Sequence, residues 1–311
     1  MLSRRNVRIK VMQMLYSMSR DSKLGLNDIV NRYRSNVQKS FELYLFTLLS
    51  LLRIAGYSKN DAAQKGAKLL PSEEDKQFTA KLVDNSLVLS LLNNQGLQQE
   101  FKKYKLASKF DHDNVRLFYT DFAKTDEYKE YIKDENSSEE GHRDILLGLF
   151  KHLINSESYD EFLEDNYSNW IDDKSLIVGA IKKTIKALPA EESFYEEYRP
   201  AAEAIEDFGE KLLRKVCETD EELLGLIEPT LRNWDADRVA VLDMILIKMA
   251  LCELMDFPSI PTKVTLNEFV EISKLYSTDK SKDFINGILD RLMKQLHKDG
   301  KIQKTGRGLQ E

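Results

Sequence analysis

The start of the chain carries three arginines, Arg4, Arg5 and Arg8, followed by Tyr16. If Ser3 to Met18 form a helix, a rotation of about 100° per residue gathers Arg5, Arg8, Met12 and Tyr16 on one face. Guanidinium groups beside an aromatic ring suit phosphate contacts together with ring packing or a phenol hydrogen bond. The competing reading is a solvated helix end. Other chemistry is poorly represented. His112, His142, His152 and His297 are scattered, and Cys217 and Cys252 lack metal-ligand spacing. No glycine loop shaped to cradle a phosphate occurs, and accidental carboxylate pairs are inevitable among 52 Asp and Glu. The sequence therefore predicts no catalytic site, no metal and no cofactor.

Charge sharpens the first reading. The net charge is -6, but residues 1–34 hold eight Lys/Arg against two acids, and residues 291–311 hold six against two. The ends carry +6 and +4, so the middle carries -16. Basic ends can bind phosphate locally while an acidic body attracts a basic protein. No window approaches eighteen apolar residues, no hydrophobic leader follows Leu2, and two cysteines suit a reducing compartment. A cytoplasmic protein without a membrane segment is expected.

The elements that must position these groups read as helices. Only 6 Pro and 13 Gly punctuate 311 residues, and long runs of good helix formers point to an all-α fold. In the first helix Val7, Val11, Met14, Leu15 and Met18 form a buried stripe. A short second helix is predicted over Leu26 to Tyr33. A long stretch, 35–190, then reads as helical segments with polar breaks, including the apolar run Phe41 to Ala55 and a mobile loop over Asp134 to Gly141. Asn169 and Trp170 echo Asn233 and Trp234, so 144–187 reads as a partial duplication of 208–251; chance among amphipathic patterns is the alternative. Asn233 to Leu254 is expected as one buried helix, and Thr265 to Glu268 as a capping box opening the next. A last helix carries Phe284, Ile285, Ile288, Leu289 and Leu292, and 297–311 is predicted to be a flexible basic tail.

Two segments are specific enough to name a family. Pro261 to Tyr276 (PTKVTLNEFVEISKLY) and Lys282 to Arg291 (KDFINGILDR) resemble the P-x-K-V-x-I-N-E-A-V-E-L-A-K and K-F-V-N-G-V-L-D segments of the NusB transcription antitermination family. The preceding N-W-x-x-D-R helix and the N-terminal arginines match in order. The resemblance covers about 1–30 and 195–296. It implies NusB-like helical bundles with a large helical insertion after the second helix: 1–34 as N-terminal helices, 35–190 as the insertion, and 191–296 as the C-terminal region. It also implies a non-enzymatic factor that binds boxA-type RNA with NusE, a small-subunit ribosomal protein. That pair joins an RNA polymerase antitermination complex acting on ribosomal RNA operons.

The resemblance assigns residues as well. Arg4, Arg5 and Arg8 match its arginine-rich RNA-binding start, and Phe284 a position associated with RNA contact, where a core role competes. Lys280 replaces what is often an acid in the family and is expected to favour phosphate. Tyr16, Asp237 and Asp243 match positions facing NusE, with helix-end stabilisation as the competing reading for the two acids. NusB-like domains also form the RNA-binding part of some ribosomal RNA methyltransferases. That alternative requires a following nucleotide-binding domain. A protein-binding scaffold with a weakened RNA role is the other alternative.

Overall fold

A computed structural model describes residues 2–231 and 238–309. Every regular element among them is helical, so the all-α reading with a large inserted helical region is borne out. The chain divides into two compact units, one formed by Gln38–Arg199 and the other by Leu2–Val37 with the segment from Pro200 onward. Asn233, Trp234 and Asp237 lie outside the described residues.

Helix α1 (Arg4–Arg20) begins where Ser3 caps it: the Ser3 hydroxyl accepts from the Asn6 backbone N–H, and the Asn6 side chain accepts in return from the Ser3 N–H. That exchange satisfies two of the orphan donors of a helix start. Helix α2 (Leu26–Gly56) is longer than its predicted counterpart. The segments Leu26 to Tyr33 and Phe41 to Ala55 are one helix, because the residues between them include neither Gly nor Pro. The boundary between the units falls inside α2, after Val37.

The Gln38–Arg199 unit contains α3 (Ser58–Gly66), α4 (Glu73–Gln77), α5 (Lys81–Asp84), α6 (Ser86–Leu92) and α7 (Gln95–Lys103). It continues with α8 (His112–Phe122), α9 (Asp126–Lys133), α10 (Glu139–Ile154), α11 (Glu157–Asn166) and α12 (Trp170–Lys186). The apolar run of α2 is its core: Phe41, Tyr44, Leu45, Phe46 and Leu48 are fully buried. Buried polar residues in and just before that run bond internally. Ser40 donates to Asp173 at 2.7 Å, Tyr44 and Thr184 share a hydrogen bond of 2.8 Å, and Tyr159 donates to Ser50 at 3.0 Å. A helix buried on all sides needs apolar residues on all sides, which explains the run without a membrane. No helix among the described residues is long and apolar enough to cross one.

The other unit contains α13 (Lys211–Glu218), α14 (Asp220–Ile227), α15 (Val241–Asp256), α16 (Thr262–Tyr276) and α17 (Ser281–Lys298). Helix α15 is central and packs against α1, α13, α16 and α17. It buries Leu246, Ile247, Met249, Leu251 and Leu254 around its whole circumference. Val7 and Val11 of α1, Tyr33 of α2 and Leu212 of α13 complete this core. A π-helical stretch, Glu203–Glu210, leads into α13. Its Gly209 lies so close to Tyr33 and Val7 that a Cβ would overlap the Tyr33 hydroxyl.

Three expectations change here. Helix α15 starts at Val241 rather than at Asn233, with Ala240 in a non-helical conformation at its cap. The capping box over Thr265 to Glu268 does not form, because α16 already starts at Thr262, behind Pro261. Proline lacks the N–H that a helix start leaves unpaired, and the Thr265 hydroxyl bonds Glu253 at 2.8 Å instead. The basic tail is not free. Ile302 is buried, Lys304 Nζ donates to the Phe257 carbonyl at 3.1 Å, and the Thr305 N–H donates to the Pro258 carbonyl at 3.0 Å.

Candidate functional site

The N-terminal turn of α1 opens onto a cleft of about 560 Å³, walled by Arg4, Arg5, Pro261, Glu268 and Arg307. The three arginines at this end of α1 have different fates. Arg4 is exposed, its guanidinium 5.7 Å from the centre of the Phe208 ring. Arg5 is 45% exposed and grips Glu268 through two hydrogen bonds of 2.9 and 2.7 Å. That pairing raises the Arg5 pKa and lowers that of Glu268. Both groups therefore stay charged over a wide pH range.

Arg8 corrects the sequence reading. Its side chain is only 2% exposed and donates twice to Glu253, at 2.7 Å on each arm, with a further contact of 3.4 Å to Glu268. Its guanidinium lies 5.2 Å from the Phe208 ring centre and 5.8 Å from that of Phe269. Two carboxylates and two rings surround it. Arg8 organises the cleft wall, and reaching a phosphate would require breaking a buried ion pair. Arg4 and Arg5 are the arginines of this turn that solvent reaches.

A second cleft, about 660 Å³, lies further along α1 and is walled by Met12, Gln13, Tyr16, Arg20 and Thr278. Tyr16 is 38% exposed, and its hydroxyl accepts from Arg20 at 3.1 and 3.2 Å. Arg20 also sits over the ring, 5.1 Å from its centre. The pair presents an aromatic and a cation together, a combination that sequence reasoning missed because Arg20 lies at the helix end.

Asp243 also departs from its expected role. It is buried in the first turn of α15 and accepts from Ser277 at 2.6 Å and from Ser281 at 2.8 Å. A carboxylate is favoured at a helix N-terminus, and here it ties α15 to the start of α17. Its carboxylate oxygens are engaged within this unit. Asp237 lies outside the described residues. Lys280 caps α17 and is exposed, while Phe284 is half-buried against the core of this unit. Neither wall set above includes them.

Chemistry beyond binding finds little support in the remaining groups. Burial pushes the Cys217 thiol up to about 11 and that of Cys252 to about 12, so neither is a ready thiolate nucleophile near neutrality. Among the described residues no group of His, Cys, Asp and Glu could hold a metal ion.

Comparison with known proteins agrees with the segment resemblance. Residues 177–294 match the NusB family. The chain is 44% identical over 103 residues to the transcription antitermination protein NusB of Salinibacter ruber, covering 33% of this chain and 64% of that protein. It is 38% identical over 103 residues to the NusB of Chloroherpeton thalassium, covering 33% and 49%. With the NusB of Syntrophotalea carbinolica it shares 42% identity over 91 residues, covering 29% and 58%. The chain thus spans about half to two thirds of the length of these curated relatives. No solved structure matches. The match takes in α15, α16 and α17, the helices that hold Glu253, Glu268 and Asp243 in place, and by it the chain carries a NusB family domain over residues 177–294.

Proposed function

We propose that this chain is a transcription antitermination factor that binds boxA-type RNA together with NusE and acts on ribosomal RNA operons within an RNA polymerase antitermination complex. The observation that carries this reading is the arginine cleft at the start of α1, built against α16 of the NusB family domain. Arg4 and Arg5 supply accessible guanidinium groups, which bond phosphate oxygens in a planar, two-pronged fashion. Lys280 adds a cation at the start of α17, and the partly exposed ring of Phe284 offers a surface on which an unpaired base can stack. Tyr16, paired with Arg20, fits a contact to NusE, and Asp237 is assigned to that contact by resemblance alone.

The reading is tested by titrating fluorescent boxA RNA with the full chain, with and without NusE, at several salt concentrations. Cooperative formation of a three-part complex, with binding that weakens steeply as salt rises, is the expected result. Absence of RNA binding under both conditions at low salt overturns it.

A further inference from the structure

We propose that the C-terminal tail is a built part of the RNA-binding cleft, with Arg307 acting as a further phosphate-contacting arginine beside Arg4 and Arg5. This rests on the RNA reading of that cleft and adds a residue from the opposite end of the chain. Arg307 lines the same cleft as Arg4 and Arg5 although some three hundred residues separate them in sequence.

The charge balance of the cleft argues for an anion. Arg8 is matched by Glu253, and Arg5 by Glu268. Arg4 has only the Phe208 ring against its guanidinium, and Arg307 is exposed with no ion pair among the described residues. Among the described residues, then, Arg4 and Arg307 bring two guanidinium charges to one opening with no ion pair to a carboxylate, the Glu268 carboxylate of its wall being held by Arg5. An open basic cleft of this kind concentrates phosphate near its walls.

The tail is also anchored in a way that a solubilising basic tail would not need. Gly300 and Gly306 turn the chain with φ of +66° and +55°, a region that residues with a Cβ seldom enter. Gly308 approaches the Pro258 carbonyl so closely that a Cβ would overlap its oxygen. Ile302 is buried, and Lys304 reaches carbonyls at the end of α15, Glu253 at 3.4 Å and Phe257 at 3.1 Å. Arg307 sits between the last two of those glycines. Hydrogen bonds from the Thr305 N–H to the Pro258 carbonyl and from the Gly308 N–H to the Thr305 carbonyl hold its backbone against this unit, which lowers the ordering cost of a phosphate contact relative to an arginine on a loose end. Such a contact positions the RNA without reading its sequence.

The test compares full-length wild type, Arg307→Ala, Arg307→Lys, Gly308→Val and Arg4→Ala in titrations of fluorescent boxA RNA and of an unrelated single-stranded RNA. Circular dichroism confirms that each variant is folded. Arg307→Ala should weaken both RNAs alike and flatten the slope of log K against log salt by about 0.7, the value of one single-strand phosphate contact. Arg307→Lys should restore the slope, and Gly308→Val should reproduce the loss although Arg307 is still present. If Arg4→Ala weakens binding while Arg307→Ala matches wild type in affinity and slope, the tail has no such role and the RNA reading survives. If wild type binds neither RNA, the RNA reading itself fails and this inference falls with it.

Discussion

Arg8 and Glu253 meet across 245 residues of sequence in a two-pronged ion pair, 2.7 Å on each arm, with side chains 2% and 0% exposed. The Thr265 hydroxyl donates to the same carboxylate at 2.8 Å. The pair joins α1 to α15, and the Thr265 hydroxyl ties α16 to the same carboxylate.

Arg8→Ala leaves the buried Glu253 carboxylate without this cation, and Glu253→Ala leaves the buried Arg8 with the longer 3.4 Å contact to Glu268. Arg8→Ala or Glu253→Ala should therefore cost about 3–5 kcal/mol of stability, and replacing both by Met should cost much less. Urea unfolding of the three variants checks this. An Arg8→Ala protein within about 1 kcal/mol of wild type would show that the ion pair does not organise the fold.

Asp243 and Tyr16 should separate stability from binding. Asp243→Ala removes the buried carboxylate that accepts from the half-buried Ser277 and the buried Ser281, and should cost about 1–3 kcal/mol. Tyr16→Ala removes a partly exposed ring and should leave the unfolding midpoint nearly unchanged while weakening NusE binding. Unfolding curves and NusE titrations of both variants decide the matter, and a reversal of the two effects would refute the assignment.

The pairing of Glu268 with Arg5 predicts an acid-side loss of stability. Hydrogen bonding from Arg5 holds the Glu268 pKa below its ordinary value of 4.5. A carboxylate with a lowered folded pKa stabilises above the unfolded value, and that contribution disappears as pH falls through the folded value. The difference in unfolding midpoint between wild type and Glu268→Gln should be constant near neutrality and shrink below about pH 4.5. A difference that does not change with pH would mean that the pairing adds no stability.

Two glycines should respond with opposite signs. Gly209→Ala pushes a methyl into the Tyr33 hydroxyl and Val7, and overpacking of this kind costs about 1–3 kcal/mol. Gly179→Ala, exposed in α12 with nothing within 4 Å of the new Cβ, should stabilise by about 0.5–1 kcal/mol. Thermal melts of the two variants should therefore move in opposite directions.

Lys280→Asp reverses an exposed charge at the cap of α17. It should weaken boxA binding and lower its salt dependence while leaving helix content unchanged. Unaltered affinity at low salt would remove Lys280 from the RNA surface.

Much of this protein was legible from local pattern. The 3.6-residue spacing of Val7, Val11 and Leu15 defined α1 and its buried side, and the residues of α15 and α17 announced a helical core. The NusB segments lie where the family match is found. The short apolar run of α2 was visible too, but its continuity with the preceding helix was not, because a polar stretch inside a helix resembles a polar break between two.

What the sequence by itself determined is that the chain is helical, which of its segments are apolar, and that arginines cluster at the start of the chain. Tertiary structure alone decided how those arginines divide. Arg4, Arg5 and Arg8 share one helix and one chemistry, yet Arg8 is buried because Glu253 and Phe269 close over it, while Arg4 and Arg5 remain at the opening. The same nonlocal packing turned Thr265 and Glu268 from a capping box into partners of Glu253 and Arg5, and drew the tail against the end of α15. Periodicity is a property of neighbours in sequence, whereas burial and charge pairing depend on residues that meet only when distant helices pack.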